Sequence, residues 1–449
     1  MSRPAVAPTR RPPPGPSKPV AVAEIRRDPL AFLREATERH GDLVRHVTTD
    51  GQEVVTVNRA DLARRVLRER RRIYVKRGTP DYQMLTPLLG EGLLTSEGEV
   101  WRRQRRTTQP AFDRARIATL DGLIVDQTLA LLERWAPAIA GASPVRLDHD
   151  LSSLTLAVVA QAILGSGISN ADRRFGQAVD TVNRFMGHYD PAEPTPEGAR
   201  ARAAFGGAAS FLDGLVRLMV QARRAEGPGC ERDLLDRLLV GGYDDRSLRD
   251  QVLTMLMAGH ETTAKALTWT SYLLARHPEV AARLDRQLEQ ALGTDAPSAE
   301  GLAAIPLCRQ VIREALRLYP PVWLLSRLAL EDDDLGGFQV AAGTLVCVSP
   351  YLLHRHPDYW EDPERFDPDR FAEDGAEAGR PDFAYIPFSG GPRRCIGETL
   401  ALLEGQLVLA TLRQRVEWRL LPGHPVEPEA LVTLRPREGL PVTVAARGG

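Results

Sequence analysis

One cysteine in this chain stands in surroundings that could make its sulfur a lasting metal ligand. Cys395 lies in the run FSGGPRRCIG, residues 388–397. Gly390, Gly391 and Gly397 let the backbone pass close to a flat macrocycle and turn amides toward the sulfur, where a Cβ would obstruct both. Arg393 and Arg394 add forked cations of the kind that buried carboxylates require. A thiolate, room for a planar ring and cations for its carboxylates together suit an iron porphyrin with Cys395 as axial ligand. A glycine turn around a core cysteine is the competing structural reading.

Four further runs stand in a fixed order around this one: WRRQR at 101–105, AGHETT at 258–263, EALR at 314–317 and WEDPERFDPDRF at 360–371. With FxxGxRxCxG matched at Phe388, Gly391, Arg393, Cys395 and Gly397, the set resembles the cytochrome P-450 family of haem-thiolate monooxygenases. The resemblance implies a mainly α fold with small β-sheets, a single large domain, and haem b between a long central distal helix and a proximal cysteine loop. It implies that Trp101, Arg105, Arg327 and Arg393 hold the haem propionates. Ala258 and Gly259 would open a groove for dioxygen, Thr262 would offer a hydroxyl there, and Glu261 would help deliver protons. Glu314, Arg317 and Arg365 would form a buried structural triad.

Plainer roles compete with these. Thr262 could bond its own helix carbonyl, Glu261 could be a solvated acid, and Trp101 could be core packing. Between Gly259 and Glu261, His260 is expected on the helix surface or at a cap.

Helices must position most of these residues. Apolar side chains recur at three and four over 28–39, 60–69, 117–135, 204–224, 247–276 and 304–318. The 247–276 segment would run for about eight turns, with Gly259 in its middle at a cost of roughly 1 kcal/mol relative to alanine. Trp101 and Arg105, four apart, point the same way on a helix. Prolines at 357, 363 and 368 prevent a continuous helix before the cysteine loop. Strand candidates are few: 53–57, 345–348 and 442–445.

Composition sets limits. Hydrophobic residues at 43% and charged ones at 26% are ordinary for a globular protein, and a net charge of -1 carries no nucleic-acid signal. Lysine occurs only at 18, 76 and 265, an arginine bias that points to a GC-rich bacterial genome. Cys230, Cys308, Cys347 and Cys395 form no CxxC pair, so a reducing cytoplasm fits better than a disulfide framework. Residues 1–19 read as a flexible or extended Pro/Arg-rich arm with no anchor helix, and 20–449 as one haem domain. The nearest approach to a membrane span is 151–170, whose polar residues favour a buried core helix.

No flavin or nicotinamide fingerprint is seen, so a ferredoxin or flavodoxin with its reductase is the expected electron source. Arg102, Arg103, Arg106 and Arg394 would present a basic face to it. By family position, Tyr82, Met84, Leu85, Leu88, Phe185, Met186, Val322, Trp323 and Leu324 line an apolar distal pocket, with 184–189 and 255–258 contributing. The expected reaction is hydroxylation or epoxidation of a lipophilic molecule, terpenoid or polyketide, with O2. A peroxide-driven or desaturating enzyme and a non-enzymatic haem-thiolate sensor are the alternatives.

Overall fold

The computed structural model describes residues 11–165, 173–187, 196–227, 233–372 and 379–447. They pack as two compact units. One is drawn from residues up to 83, 324–363 and 380–394, and the other from 84–323, 364–379 and 395 onward.

The first unit is built on a five-stranded sheet in the order Leu43–Val47, Glu53–Val57, Leu345–Val348, Leu325–Ala329, Tyr74–Val75. Glu53–Val57 and Leu345–Val348 run parallel, with Val54 opposite Leu345, and the other neighbours are antiparallel. Val55, Val57, Val346 and Val348 have no solvent exposure and join Leu62, Val66 and Ile386 in one core. Continuous β-branched runs suit strands covered on both faces, which is why these two segments were legible from sequence. Only residues 11–19 of the arm are described. From residue 11 it is extended and docked, with Arg45 N donating to Pro14 O at 2.8 Å and Gln339 N to Arg11 O at 3.0 Å.

The second unit is helical around Asp245–Arg276, 32 residues and about 48 Å long. Asp244 caps it, accepting from Ser247 N at 2.7 Å. Leu147–Leu164 lies against it, buried on almost every side, and ends at Gly165 in the left-handed region. Pro306–Leu318 and Glu398–Arg415 complete the packing, and Val145–Arg146, Pro441–Ala446 and Val416–Leu420 form a small antiparallel sheet. The helix expected over 117–135 is instead a short turn followed by Asp121–Ala140, and that over 204–224 is Pro196–Ala225.

Gly198–Ala225 is the one stretch among the described residues long and apolar enough, by length and composition, to cross a bilayer. The sequence pointed to 151–170 for that distinction, but the described helix there is Leu147–Leu164, with Asp148 and Asp150 in its first turn. The inner edge of Gly198–Ala225, Leu212, Val216, Met219 and Val220, is buried, whereas Leu218 is 65% exposed.

His46 is buried in Leu43–Val47 with the Phe32 ring edge-on at 5.2 Å, and burial pulls its pKa from 6.5 to about 4. The unfolded chain therefore binds a proton that the folded one refuses as pH falls from 6.5 toward 4. Stability is lost across that window, by at most about 1.4 kcal/mol per pH unit. His46→Leu should flatten the decline, read as a smaller difference between urea midpoints at about pH 7 and about pH 5 than the unsubstituted protein gives.

Candidate active site

The approach to the cysteine is held in the first unit by a neutral histidine. Ile386 N donates to the buried His354 Nε2 at 2.8 Å. Phe383 and Ser389 sit at φ 71° and 62°, a conformation that non-glycine residues hold only when their surroundings enforce it. At Gly391, φ is +66°, and a Cβ would lie 2.3 Å from Leu67 O, so no other residue fits that turn. Phe388 and Arg393 are half-buried and Arg394 is exposed.

Beyond the turn, in the second unit, Cys395 precedes the helix Glu398–Arg415. Cys308 and Cys347 are buried, and desolvation pushes their thiols up to about 12, which makes them inert. Cys395 is exposed. At Gly397 the expected obstruction is not found, since an added Cβ would stand in ordinary contact, 4.0 Å from Sγ and 3.7 Å from the Phe112 ring. Arg105 on Gly98–Thr108 is half-buried; burial lowers its pKa and the charge of Cys395 raises it. Trp101, one turn earlier, is half-buried too, whereas Arg102, Arg103 and Arg106 are exposed, so 101 and 105 share a distinct face as expected. Arg327, in the first unit, is 5% exposed and donates to Ser326 O at 2.7 Å.

The long helix is buried almost throughout Leu248–Leu274, except along one line. Ala258 is exposed and Thr262, one turn on, is half-exposed, with Gly259 beside them. Thr262 donates its hydroxyl hydrogen to Ala258 O at 2.9 Å, so its oxygen keeps acceptor capacity toward the open side. Gly259 has a packing role. A Cβ there would come within 2.6 Å of Val159 Cγ2 on the Leu147–Leu164 helix. Within the second unit, an exposed cysteine, the half-buried Arg105 and a small-residue stripe on the long helix are a donor set whose chemistry fits haem.

Glu261 departs from its expected place. Successive residues are about 100° apart on a helix, and its carboxylate is drawn away from Thr262 by Lys265 Nζ at 3.4 Å and Thr433 Oγ1 at 3.3 Å. It is 7% exposed and faces a polar cavity of about 470 Å³ that Asn183, His260, Lys265 and Arg435 also line. Burial pushes its pKa up, but the Lys265 ammonium pulls it below the ordinary glutamate value, so it is ionised. His260 is not on the surface. It is 1% exposed, with Nδ1 at 2.6 Å from Leu256 O and its ring edge-on to Phe175, and burial lowers its pKa toward the neutral form.

Glu314 and Arg317 are both wholly buried and paired through two bonds, at 2.7 and 2.8 Å. The third member of the triad is corrected by the structure. Arg365 supplies only its carbonyl, accepting from Arg317 Nη2 at 3.0 Å, and its side chain is exposed. Arg370 Nε lies 3.5 Å from Glu314 Oε1, and Asp367 N donates to the same oxygen at 2.9 Å. PERF at 363–366 and PDRF at 368–371 are near-repeats, and the second faces the pair.

The family model for cytochrome P450 matches residues 12–440. The chain belongs to the cytochrome P450 family. This P450 is 35% identical over 412 residues to cyclooctat-9-en-7-ol 5-monooxygenase of Streptomyces melanosporofaciens, covering 88% of this chain and 86% of that protein. It is 32% identical over 440 residues to pentalenene oxygenase of Streptomyces avermitilis, covering 94% of each. Retinoic acid-bound cyanobacterial CYP120A1 shares its fold at a TM-score of 0.86 and 27% identity, over 98% of this chain and 99% of that one. This P450 is a monooxygenase, and its cofactor is haem with the Cys395 thiolate as axial ligand.

Of the expected distal residues in this P450, Tyr82, Met84, Leu85, Phe185, Val322, Trp323 and Leu324 are partly accessible. Trp323 Nε1 donates to Leu431 O at 2.9 Å, which fixes its ring. Leu88 is corrected: with no exposure it lines no space that water can enter, and it serves the core instead. Met186 is 4% exposed and Met255 6%, and Phe185 stacks on Phe205 at 4.6 Å. Residues 188–189 of the expected 184–189 stretch and Cys230 lie outside the described residues. Sequence reasoning missed Arg370 and Lys265, though the repeated Pro-acid-Arg-Phe and the Glu261–Lys265 spacing of four were both signals.

Removing one partner of a buried ion pair leaves the other charge unbalanced, at a cost of about 3–5 kcal/mol. Arg317→Leu should therefore lose most haem incorporation. Arg370→Ala should lower the urea midpoint by an intermediate amount. Arg365→Ala, at an exposed side chain, should stay within about 0.5 kcal/mol of the unsubstituted protein.

Proposed function

We propose that this P450 inserts one oxygen atom from O2 into a C–H bond, or epoxidises an alkene, of a lipophilic small molecule, with a terpenoid as first choice. Residues 20–449 act as one haem domain in the cytoplasm. The observation that carries the reading is the Ala258–Thr262 stripe, an open line with a fixed hydroxyl in an otherwise buried helix. Two relatives support the substrate class by name, one an oxygenase of pentalenene and one of cyclooctat-9-en-7-ol.

Haem with a thiolate ligand supplies dioxygen activation when bound. The chain's own groups do the rest. Arg105, Arg327 and Arg393, with Trp101, hold the propionates, and Phe388, Gly391 and Gly397 shape the loop around Cys395. Ala258 leaves room for dioxygen beside Thr262 Oγ1, which accepts and passes a proton. Glu261, ionised and open to the polar cavity, collects protons from solvent there rather than at the stripe. One oxygen atom enters the substrate and the other leaves as water, consuming two protons and two electrons. The electrons come from a ferredoxin or flavodoxin with its reductase, and the exposed Arg102, Arg106 and Arg394 suit an acidic donor.

Reduced protein treated with carbon monoxide should give the strongly red-shifted Soret band of thiolate ligation, and Cys395→His should abolish that band together with monooxygenation. Thr262→Ala should keep haem and the band while product formation falls by on the order of 10²-fold and reducing equivalents leave as hydrogen peroxide. Product formation still tightly coupled to reductant use in that variant would overturn the role given to Thr262.

A further inference from the structure

The turn Gly90–Glu91–Gly92, just past the end of the helix Pro80–Leu89, is fastened to the long helix two turns before Ala258. Asp250 Oδ2 accepts from Glu91 N at 2.9 Å. Both glycines are required by clearance. At Gly90, φ is +56° and a Cβ would fall 2.1 Å from the Asp250 carboxylate, and at Gly92 one would fall 1.9 Å from Thr254 Oγ1. From the other side, Gln104 Nε2 donates to Glu91 O at 2.7 Å, and Gln104 sits on Gly98–Thr108 between Trp101 and Arg105.

Arg249 extends the fastening. Its Nη1 donates to Leu88 O at 2.7 Å and to Asp250 Oδ1 at 2.9 Å, while Nε donates to Asp213 Oδ1 at 2.7 Å on Pro196–Ala225. Arg249 and Asp250 side chains are 17% and 5% exposed, so these bonds are shielded from competing water. One guanidinium and one carboxylate thus link the long helix, the wall that ends at Leu88 and the outer helix. Met84 and Leu85 lie on the same wall, one turn before Leu88.

We propose that Arg249 and Asp250 form an ionic clasp that positions the Met84–Leu85 wall against the dioxygen stripe and so sets which substrate shapes this P450 admits. The proposal rests on the reading that Met84 and Leu85 face the substrate. The clasp touches neither haem nor substrate; it acts by fixing the backbone of 88–92, and Asp213 ties that backbone to the outer helix.

The test uses the haem-loaded protein and two iron-binding probes, imidazole and a bulky aryl-imidazole, titrated by the shift of the Soret band. In Arg249→Met and Asp250→Asn, the ratio of the two dissociation constants should move by about tenfold while that for imidazole stays within about twofold. Hydrogen exchange at the amides of 88–94 should accelerate by about tenfold in the same proteins. Asp213→Asn, at a partly exposed residue, should give a smaller change of the same sign in both readouts and serves where the buried variants do not fold. Met84→Ala tests the underlying reading separately: a ratio unchanged in that variant means the wall does not face the substrate. A ratio altered by Met84→Ala but unchanged, with unchanged exchange, in every clasp variant that folds would overturn the clasp.

Discussion

Glu314 and Arg317 take a carboxylate and a guanidinium wholly out of water, and the chain around them is arranged so that neither is left short of partners. Charges at that depth cost several kcal/mol each to desolvate, a cost offset only by near-ideal geometry and saturated bonding. The bonding comes from 365–370: a carbonyl from Arg365, an amide from Asp367 and a cation from Arg370. Prolines prevent a continuous α-helix there, and the segment, with one 3-10 turn at Pro368–Phe371, is tied in place by the ion pair. A pair that contributes little net stability can still dictate conformation, because almost every other arrangement of the segment strands a buried charge.

The long helix separates two kinds of surroundings. Along one line it offers a methyl, a glycine backbone and a hydroxyl to open space, and about 100° away it holds a carboxylate, an ammonium and an imidazole at a polar cavity. Burial lowers the pKa of His260 although the Glu261 carboxylate lies 3.9 Å away, whereas Lys265 Nζ at 3.4 Å holds Glu261 in its ionised form. The ionised carboxylate and the open hydroxyl therefore stand on neighbouring faces of one helix.

The haem-binding motif, the ion pair and the long helix were legible in the sequence because each depends on residue identity at fixed spacing. Strands 53–57 and 345–348 were legible because both faces are largely buried and valines dominate their side chains. Leu43–Val47 and Leu325–Ala329 escaped notice because Arg45, His46, Ser326 and Arg327 break that pattern, and partners far away in the chain complete the sheet. Arg365 was preferred to Arg370 because two nearly identical tetrapeptides differ only in which one the fold turns inward. Glu261 and His260 were misplaced for a related reason: spacing gives the angle around a helix, but not what stands opposite it.

The contact between Gly259 and Val159 bears on how this chain can drift. A valine on a helix is nearly fixed in rotamer, so it cannot swing aside for a methyl placed 2.6 Å away. Gain of a side chain at 259 is tolerable only with loss of one at 159 while these helices keep their register. Gly259 sits beside Ala258 and Thr262, but its size is fixed by Val159 on the helix packed against it.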